Sequence, residues 1–225
     1  MALLGKAILG VWNEAAPADE ADFNDWYLRE HIIERTAVPG MTRGRRYRAL
    51  EGSPKYMALY EALTLDVLTT GAYRVQLDNP TEWTKRVTSR FTFMRRAICN
   101  VIADEGQGIG GFATVVHFHP APGAEAKLRA WAERLIPELV GMTQIAAAHC
   151  WVGAEGEPAS PTSELSARAV SDKPVGWVLA IEAGDLISLS AARDAVLATN
   201  PDSHGAQDVR AYPLYQLLYV LTAAG

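Results

Sequence analysis

The chain reads as one unit written twice, and this limits its fold more than any single segment does. Residues Pro39-Gly40-Met41-Thr42 recur as Val140-Gly141-Met142-Thr143, each time between an amphipathic helical stretch and a strand-like run. Ala58-Leu59-Tyr60-Glu61-Ala62 recurs as Leu179-Ala180-Ile181-Glu182-Ala183. The wider spacing in the second copy falls in one Ser-, Pro- and Glu-rich stretch, Gly153 to Lys173. A repeat of this length implies one supersecondary unit used twice. It also supplies an internal control, because a residue found in one copy only is not demanded by the shared framework.

Hydrophobic patterning predicts the same element order in each half. The first half reads as a strand at Lys6–Asn13, a helix from Asp19 to Thr36, strands at Arg43–Leu50 and Tyr56–Leu63, a helix at Asp66–Leu77 and a strand at Arg90–Ile102. The second reads as a strand at Phe112–His119, a helix at Glu125–Leu139, strands at Gln144–Val152 and Val175–Ala183, a helix at Leu189–Thr199 and a strand at Val209–Thr222. The order β-α-β-β-α-β is ferredoxin-like. The expected organisation is a first unit at 1–103, a Gly-rich linker at 104–110 and a second, degenerate unit at 111–225. Several strands are apolar on both faces, so the sheet face without helices must also be covered. The expected fold class is therefore α+β: two tandem ferredoxin-like units packed sheet to sheet as an α+β barrel within one chain. Gly153 to Lys173 is longer than most loops and reads as a covering segment or a disordered one.

Composition narrows the partners. The net charge is −5, and the one basic stretch, Arg43-Gly44-Arg45-Arg46-Tyr47-Arg48, alternates faces as a strand. Nucleic acid is not expected as a partner. No run of about 18 apolar residues suggests a membrane span, and Met1 to Val11 lacks the basic start of a signal peptide. The expectation is a cytoplasmic protein, monomer or homodimer, acting on a small molecule. Cys99 and Cys150 lie in apolar runs and read as buried thiols.

Helix one carries the chemistry. Phe23, Tyr27, His31 and Glu34 or Arg35 recur at helical spacing and share a face. Histidine exchanges protons near neutral pH. Glu34 at this spacing could orient it, and the Tyr27 phenol could bind a substrate oxygen. Matching Gly40-Met41 to Gly141-Met142 sets Ala132 opposite His31 and Leu128 opposite Tyr27. The second copy lacks the polar stripe, which points to one site per chain.

The pattern Asp22-Phe23-x-x-Trp26-Tyr27-x-x-x-His31, followed by Pro39-Gly40 and a basic strand, resembles the EthD-like branch of the dimeric α+β barrel superfamily. Asn79-Pro80-Thr81-Glu82-Trp83-Thr84 is similar to a segment of such proteins. The resemblance covers about residues 6–102 in sequence and is architectural beyond. It implies a small-molecule pocket between sheet and helices, with His31 facing it and Trp26 and Tyr27 beside it. Members include isomerases, lyases, cyclases and cofactor-free monooxygenases, and some bind heme.

The candidate catalytic residues are thus His31, Tyr27 and Glu34. Candidate substrate-binding residues are Trp26, Asn13, Arg46, Arg48 and Trp83. His117 and His119 share one strand face, with His149 a strand further away, and no carboxylate or cysteine at ligand spacing completes a metal set. No cofactor or metal is expected. Gly106 to Gly111 precedes a strand and so is no nucleotide fingerprint. The leading expectation is acid/base isomerisation or dehydration of an oxygenated cyclic or polyketide-like compound. A non-catalytic binding or stress-response protein, and a cofactor-free or heme-dependent monooxygenase, are the alternatives.

Overall fold

The computed structural model describes residues 2–69, 71–154, 162–168 and 175–223. The first half contains β1 (Ala7–Ala15), α1 (Glu20–Trp26), a π-helical turn (Tyr27–His31), α2 (Ile32–Thr36), β2 (Met41–Ala49) and β3 (Tyr56–Ala62). Then come α3 (Asp66–Thr69), α4 (Gly71–Asp78), α5 (Glu82–Thr88) and the long β4 (Phe91–Gly106). The second half contains β5 (Phe112–Pro120), α6 (Glu125–Val140), β6 (Ile145–Gly153), α7 (Ser163–Ala167), β7 (Trp177–Ala183) and α8 (Leu186–Ala198), then β8 (Ala206–Ala211) and β9 (Tyr215–Thr222).

The strands form one antiparallel sheet in the order β7-β6-β4-β1-β3-β2-β9-β5-β8, and a β5–β7 pairing closes it. The result is an eight-stranded barrel with β8 added beside β5. The pairings of one half recur in the other: β3 and β4 flank β1, as β7 and β8 flank β5. The halves join edge to edge rather than as two stacked sheets. The far end of β4 pairs with β6, and β9 pairs with β2.

Three sequence expectations change. The linker is shorter, because Asp104, Glu105 and Gly106 belong to β4 and pair with β6. The last strand breaks at Tyr212-Pro213-Leu214 into β8 and β9, since Pro213 cannot donate to a ladder. The register between halves also shifts. Met41 pairs with Ala62 as Ile145 pairs with Ala183, each beside a bulge. The preceding residues, Gly40 and Gln144, both have positive φ. Counting back equally from Met41 and Ile145 sets Leu135, not Ala132, opposite His31. The polar residue remains confined to one half.

Three cores follow. The barrel interior holds Trp12, Tyr47, Met57, Trp151, Val178 and Tyr215. The second half packs Phe118, Trp131, Leu135 and Leu189 between sheet and helices. The first half packs Phe23, Trp26, Tyr27, Tyr60 and Tyr73 in the equivalent layer. Gly44 permits the close approach of α2, since a Cβ there would lie 2.9 Å from Ile32. Cys99 and Cys150 are free, buried thiols, and burial pushes Cys150 up to about 12.

The barrel interior also buries charge. Arg43 is bidentate to Glu61 at 2.7 and 3.0 Å. Arg45 meets Glu61 at 3.1 Å and Glu182 at 2.5 Å. His149 lies between Asp104 (3.0 Å) and Glu182 (3.2 Å). Its two carboxylate hydrogen bonds outweigh burial and raise its pKa. Burial opposes ionisation of Glu182, but Arg45 and His149 hold it down to about 2. The alternation expected of the basic strand holds, with Arg43 and Arg45 inside and Arg46 on the helix side of β2.

These shifts set a stability profile. His149 contributes stability fully below its unfolded value near 6.5, and this is lost as pH rises through its higher folded value. Glu182 contributes stability above about 4.5, lost as pH falls towards 2. His31 and His117 are depressed by burial, so their contribution is lost as pH falls below about 6.5. Urea midpoints across pH should therefore decline on the alkaline side of neutrality in the native protein. Substitution His149→Gln should flatten that alkaline decline; an unchanged slope contradicts the assignment.

Candidate active site

The site is built on helix one and the sheet beneath it. A regular α-helix sets residues i and i+5 about 140° apart. Here the Ile32 amide bonds to the Tyr27 carbonyl, the i+5 closure of a π turn. The wider turn carries His31 over Trp26, whose rings stack at 4.2 Å and 29°. Tyr27 meets the imidazole edge-on at 5.0 Å, and Tyr60 does so at 6.2 Å. One wider turn shifts the apolar phase too little, over so short a helix, to be told from ordinary i+3/i+4 scatter in sequence.

The segment Asn79 to Thr84 holds these rings in place. Thr81 caps α5 by accepting from the Thr84 amide at 3.0 Å, and its hydroxyl donates to Glu30 at 2.6 Å. Trp26 Nε1 donates to Thr84 Oγ1 at 3.1 Å. Trp83 Nε1 donates to Asp22 Oδ1 at 2.9 Å. Trp83 therefore fastens α5 to α1 and does not line the pocket.

Leu9, Val11, Asn13, Trp26, Tyr27 and His31 line the pocket on one side. Arg35, Tyr73, Thr88, Phe91, Met94, Arg96 and, from the second half, Glu164 and Arg168 complete it. The free volume is about 20 Å³, room for roughly one water molecule. His31 is buried, and its Nδ1 has no hydrogen-bond partner. Burial first, then the Arg35 charge, press its pKa well below the usual 6.5. The imidazole is neutral at neutral pH and can accept a proton.

The carboxylate near His31 is Glu164, not Glu34. Arg35 donates to Glu164 in a buried ion pair, and Arg168 Nη2 donates to the other oxygen at 2.9 Å. These pairs outweigh burial and hold Glu164 down to about 2. Glu34 is half-buried outside the pocket lining. Of the two residues the stripe offered at that turn, Arg35 faces inward. Glu164 lies within the stretch that reads in sequence as a covering segment, where α7 packs on α4 and α5. The parts of that stretch at 155–161 and 169–173 lie outside the described residues. No local pattern marks Glu164, because its partner is 129 positions away.

Asn13 and Arg46 join the site from below. Asn13 Nδ2 donates to Tyr27 Oη at 2.9 Å, and Arg46 Nη1 donates to Asn13 Oδ1 at 3.2 Å. Arg46 lies 3.4 Å from the Tyr27 ring centre, 4.6 Å from Tyr56 and 4.9 Å from Phe23. Arg48 is exposed at the sheet rim and takes no part.

His117 and His149 face the barrel interior, whereas His204 stacks on Trp131 outside it. His117 is wedged 4.4 Å from Trp12 and 4.2 Å from Tyr212. His149, one strand beyond β7 as expected, has both nitrogens on carboxylates. His119 is half-buried at the end of β5. Among the described residues, no group of three or more His, Cys, Asp or Glu could hold a metal ion. Three of the five histidines are also poorly placed to ligate heme. His31 is enclosed by three aromatic rings, His117 by two, and His149 has no free nitrogen. No helix among the described residues is long and apolar enough to cross a membrane.

No family model matches the chain, and no curated protein matches it in sequence. Solved structures do. An anthrone oxidase-like protein matches with a TM-score of 0.68 and 11% identity, over 97% of this chain and 93% of the other. A proposed monooxygenase from Fusobacterium nucleatum matches with a TM-score of 0.62 and 11% identity, over 99% and 97%. A heme-binding protein from Thermus thermophilus matches with a TM-score of 0.53 and 11% identity, over 96% and 92%. The chain shares the fold of these structures, an α+β barrel of the kind that the EthD-like pattern of helix one implies.

Proposed function

We propose that this protein is an enzyme that oxidises a small oxygenated compound, with His31 as the base and dioxygen as the oxidant. The observation that carries this reading is the neutral, buried imidazole with an unpartnered Nδ1, held against Trp26 and Tyr27 in a polar compartment. The similar structures include an anthrone oxidase-like protein and a proposed monooxygenase, which favours oxygen chemistry over isomerisation or dehydration. We also read the chain as a tandem duplication, residues 1–103 and 111–225, in which the second unit completes the barrel and lends Glu164 to the pocket of the first.

His31 removes a proton from a methylene or hydroxyl made acidic by neighbouring carbonyl or aryl groups. The electron-rich anion that remains reacts with dioxygen. Conversion of a methylene to a carbonyl consumes one O₂ and releases one water, so the substrate supplies the electrons. Tyr27, held by Asn13, orients a substrate oxygen. Because the free volume is only about 20 Å³, a substrate displaces part of the pocket wall on entry.

An oxygen electrode separates the readings. Stoichiometric O₂ uptake with an aryl-activated methylene compound is the expected result. Product formation at an equal rate without oxygen would return the reading to isomerisation or dehydration, in which His31 moves the same proton. Chromatographic mass decides between monomer and homodimer.

A further inference from the structure

We infer that the substrate is bound as an anion, its ionised oxygen seated against Arg46 and Tyr60. This rests on the reading of the His31 pocket as the active site and names the chemical class it takes; Arg46 and Tyr60 lie outside the pocket lining, with Arg46 against its Asn13 and Tyr27 wall. Arg46 is fully buried, and no ion pair of Arg46 exists among the described residues. Only Nη1 is hydrogen-bonded; Nε and Nη2 are buried without partners. In the same layer, Tyr60 Oη and His31 Nδ1 are also buried and unpartnered.

The sheet register places Arg46 and Tyr60 side by side, and His31 meets the Tyr60 ring edge-on. Arg46 pairs with Ala58, and Gly44 pairs with Tyr60, so Arg46 and Tyr60 are diagonal neighbours on the helix-facing side. Ala58, between Tyr56 and Tyr60 on β3, has only a methyl group to fill the space beside the guanidinium. Three aromatic rings around Arg46 supply attraction to its faces but no acceptor for its N–H groups. A buried cation left without an acceptor is costly, and buried polar atoms are normally satisfied. One oxyanion satisfies the guanidinium and the Tyr60 hydroxyl together, each by a charge-assisted hydrogen bond. An ionised enol, phenol or carboxylate on a small ring has the required charge and shape.

The test uses 4-nitrophenol, whose phenol and phenolate absorb at different wavelengths. An opposite charge within hydrogen-bonding reach lowers an acid's pKa by about one to three units. The ionisation constant of bound 4-nitrophenol should therefore exceed that of the free probe by about tenfold or more. Substitution Arg46→Met should abolish that increase, and Tyr60→Phe should reduce it. Should Arg46→Met fail to fold, the wild-type spectrum and Tyr60→Phe decide the matter. A probe bound as the neutral phenol, one ionised equally in Arg46→Met, or no binding at all would overturn the inference. O₂ uptake with a neutral bound probe refutes the anion seat and leaves the proposed function standing. An ionised bound probe without O₂ uptake does the reverse.

Discussion

Replacing His31 with alanine is expected to lower kcat/KM by about 10²–10⁴-fold, the usual contribution of a positioned acid or base. The loss should appear chiefly in kcat, because the imidazole acts on the reacting proton while Trp26, Tyr27 and Asn13 still hold the substrate. His31 is neutral, pressed below its ordinary value by burial and by Arg35. The wild-type rate should therefore stay flat through neutral pH and fall only well below 6.5. Its stacking partner Trp26 retains its own bond to Thr84, so the fold should survive. A variant that folds and turns over at the native rate would remove His31 from the mechanism. Rescue by added imidazole would confirm that proton transfer, rather than shape, was lost.

Glu182→Gln is expected to cost about 3–5 kcal/mol of stability, the usual penalty for breaking a buried ion pair by removing one partner. Glu182 is the point where the halves meet inside the barrel. It accepts from Arg45 of β2 at 2.5 Å, faces His149 of β6 at 3.2 Å and accepts from the Gly110 amide at 3.1 Å. Neutralising it leaves Arg45 with Glu61 alone. Denaturant midpoints at neutral pH measure the loss. The double variant Arg45→Met, Glu182→Gln should lose less than the two single variants together, since no uncompensated cation remains. Strict additivity would show that the pair does not act as a unit.

The sequence told most about local pattern and least about long-range partners. The strands and helix one follow from apolar spacing, and the Phe23, Tyr27, His31 stripe does face inward. The π turn is hidden because Phe23, Tyr27 and His31, spaced by four, fit one face of an ordinary short helix as well as of a widened one. Its consequence, the Trp26–His31 stack, is visible only in space. Glu34 and Arg35 are equally placed on an ideal helix; the wider turn and the Glu164 partner turn Arg35 inward. The Gly-Met-Thr echo misaligns the halves because Gly40 is the positive-φ residue before β2, whereas Gly141 still belongs to the end of α6 and Gln144 takes that role. Buried pairs such as Arg45–Glu182 join residues 137 positions apart, and no window of sequence contains both.

The central claim is that a neutral His31 starts an oxygen-consuming reaction in the first half of the barrel. Oxygen uptake by wild type and His31→Ala, with an aryl-activated methylene compound and chelator present, tests it most directly. The account predicts uptake by the wild type that falls by about a hundredfold or more in the variant. Equal uptake by the two proteins, or anaerobic turnover by the wild type at an undiminished rate, would contradict it.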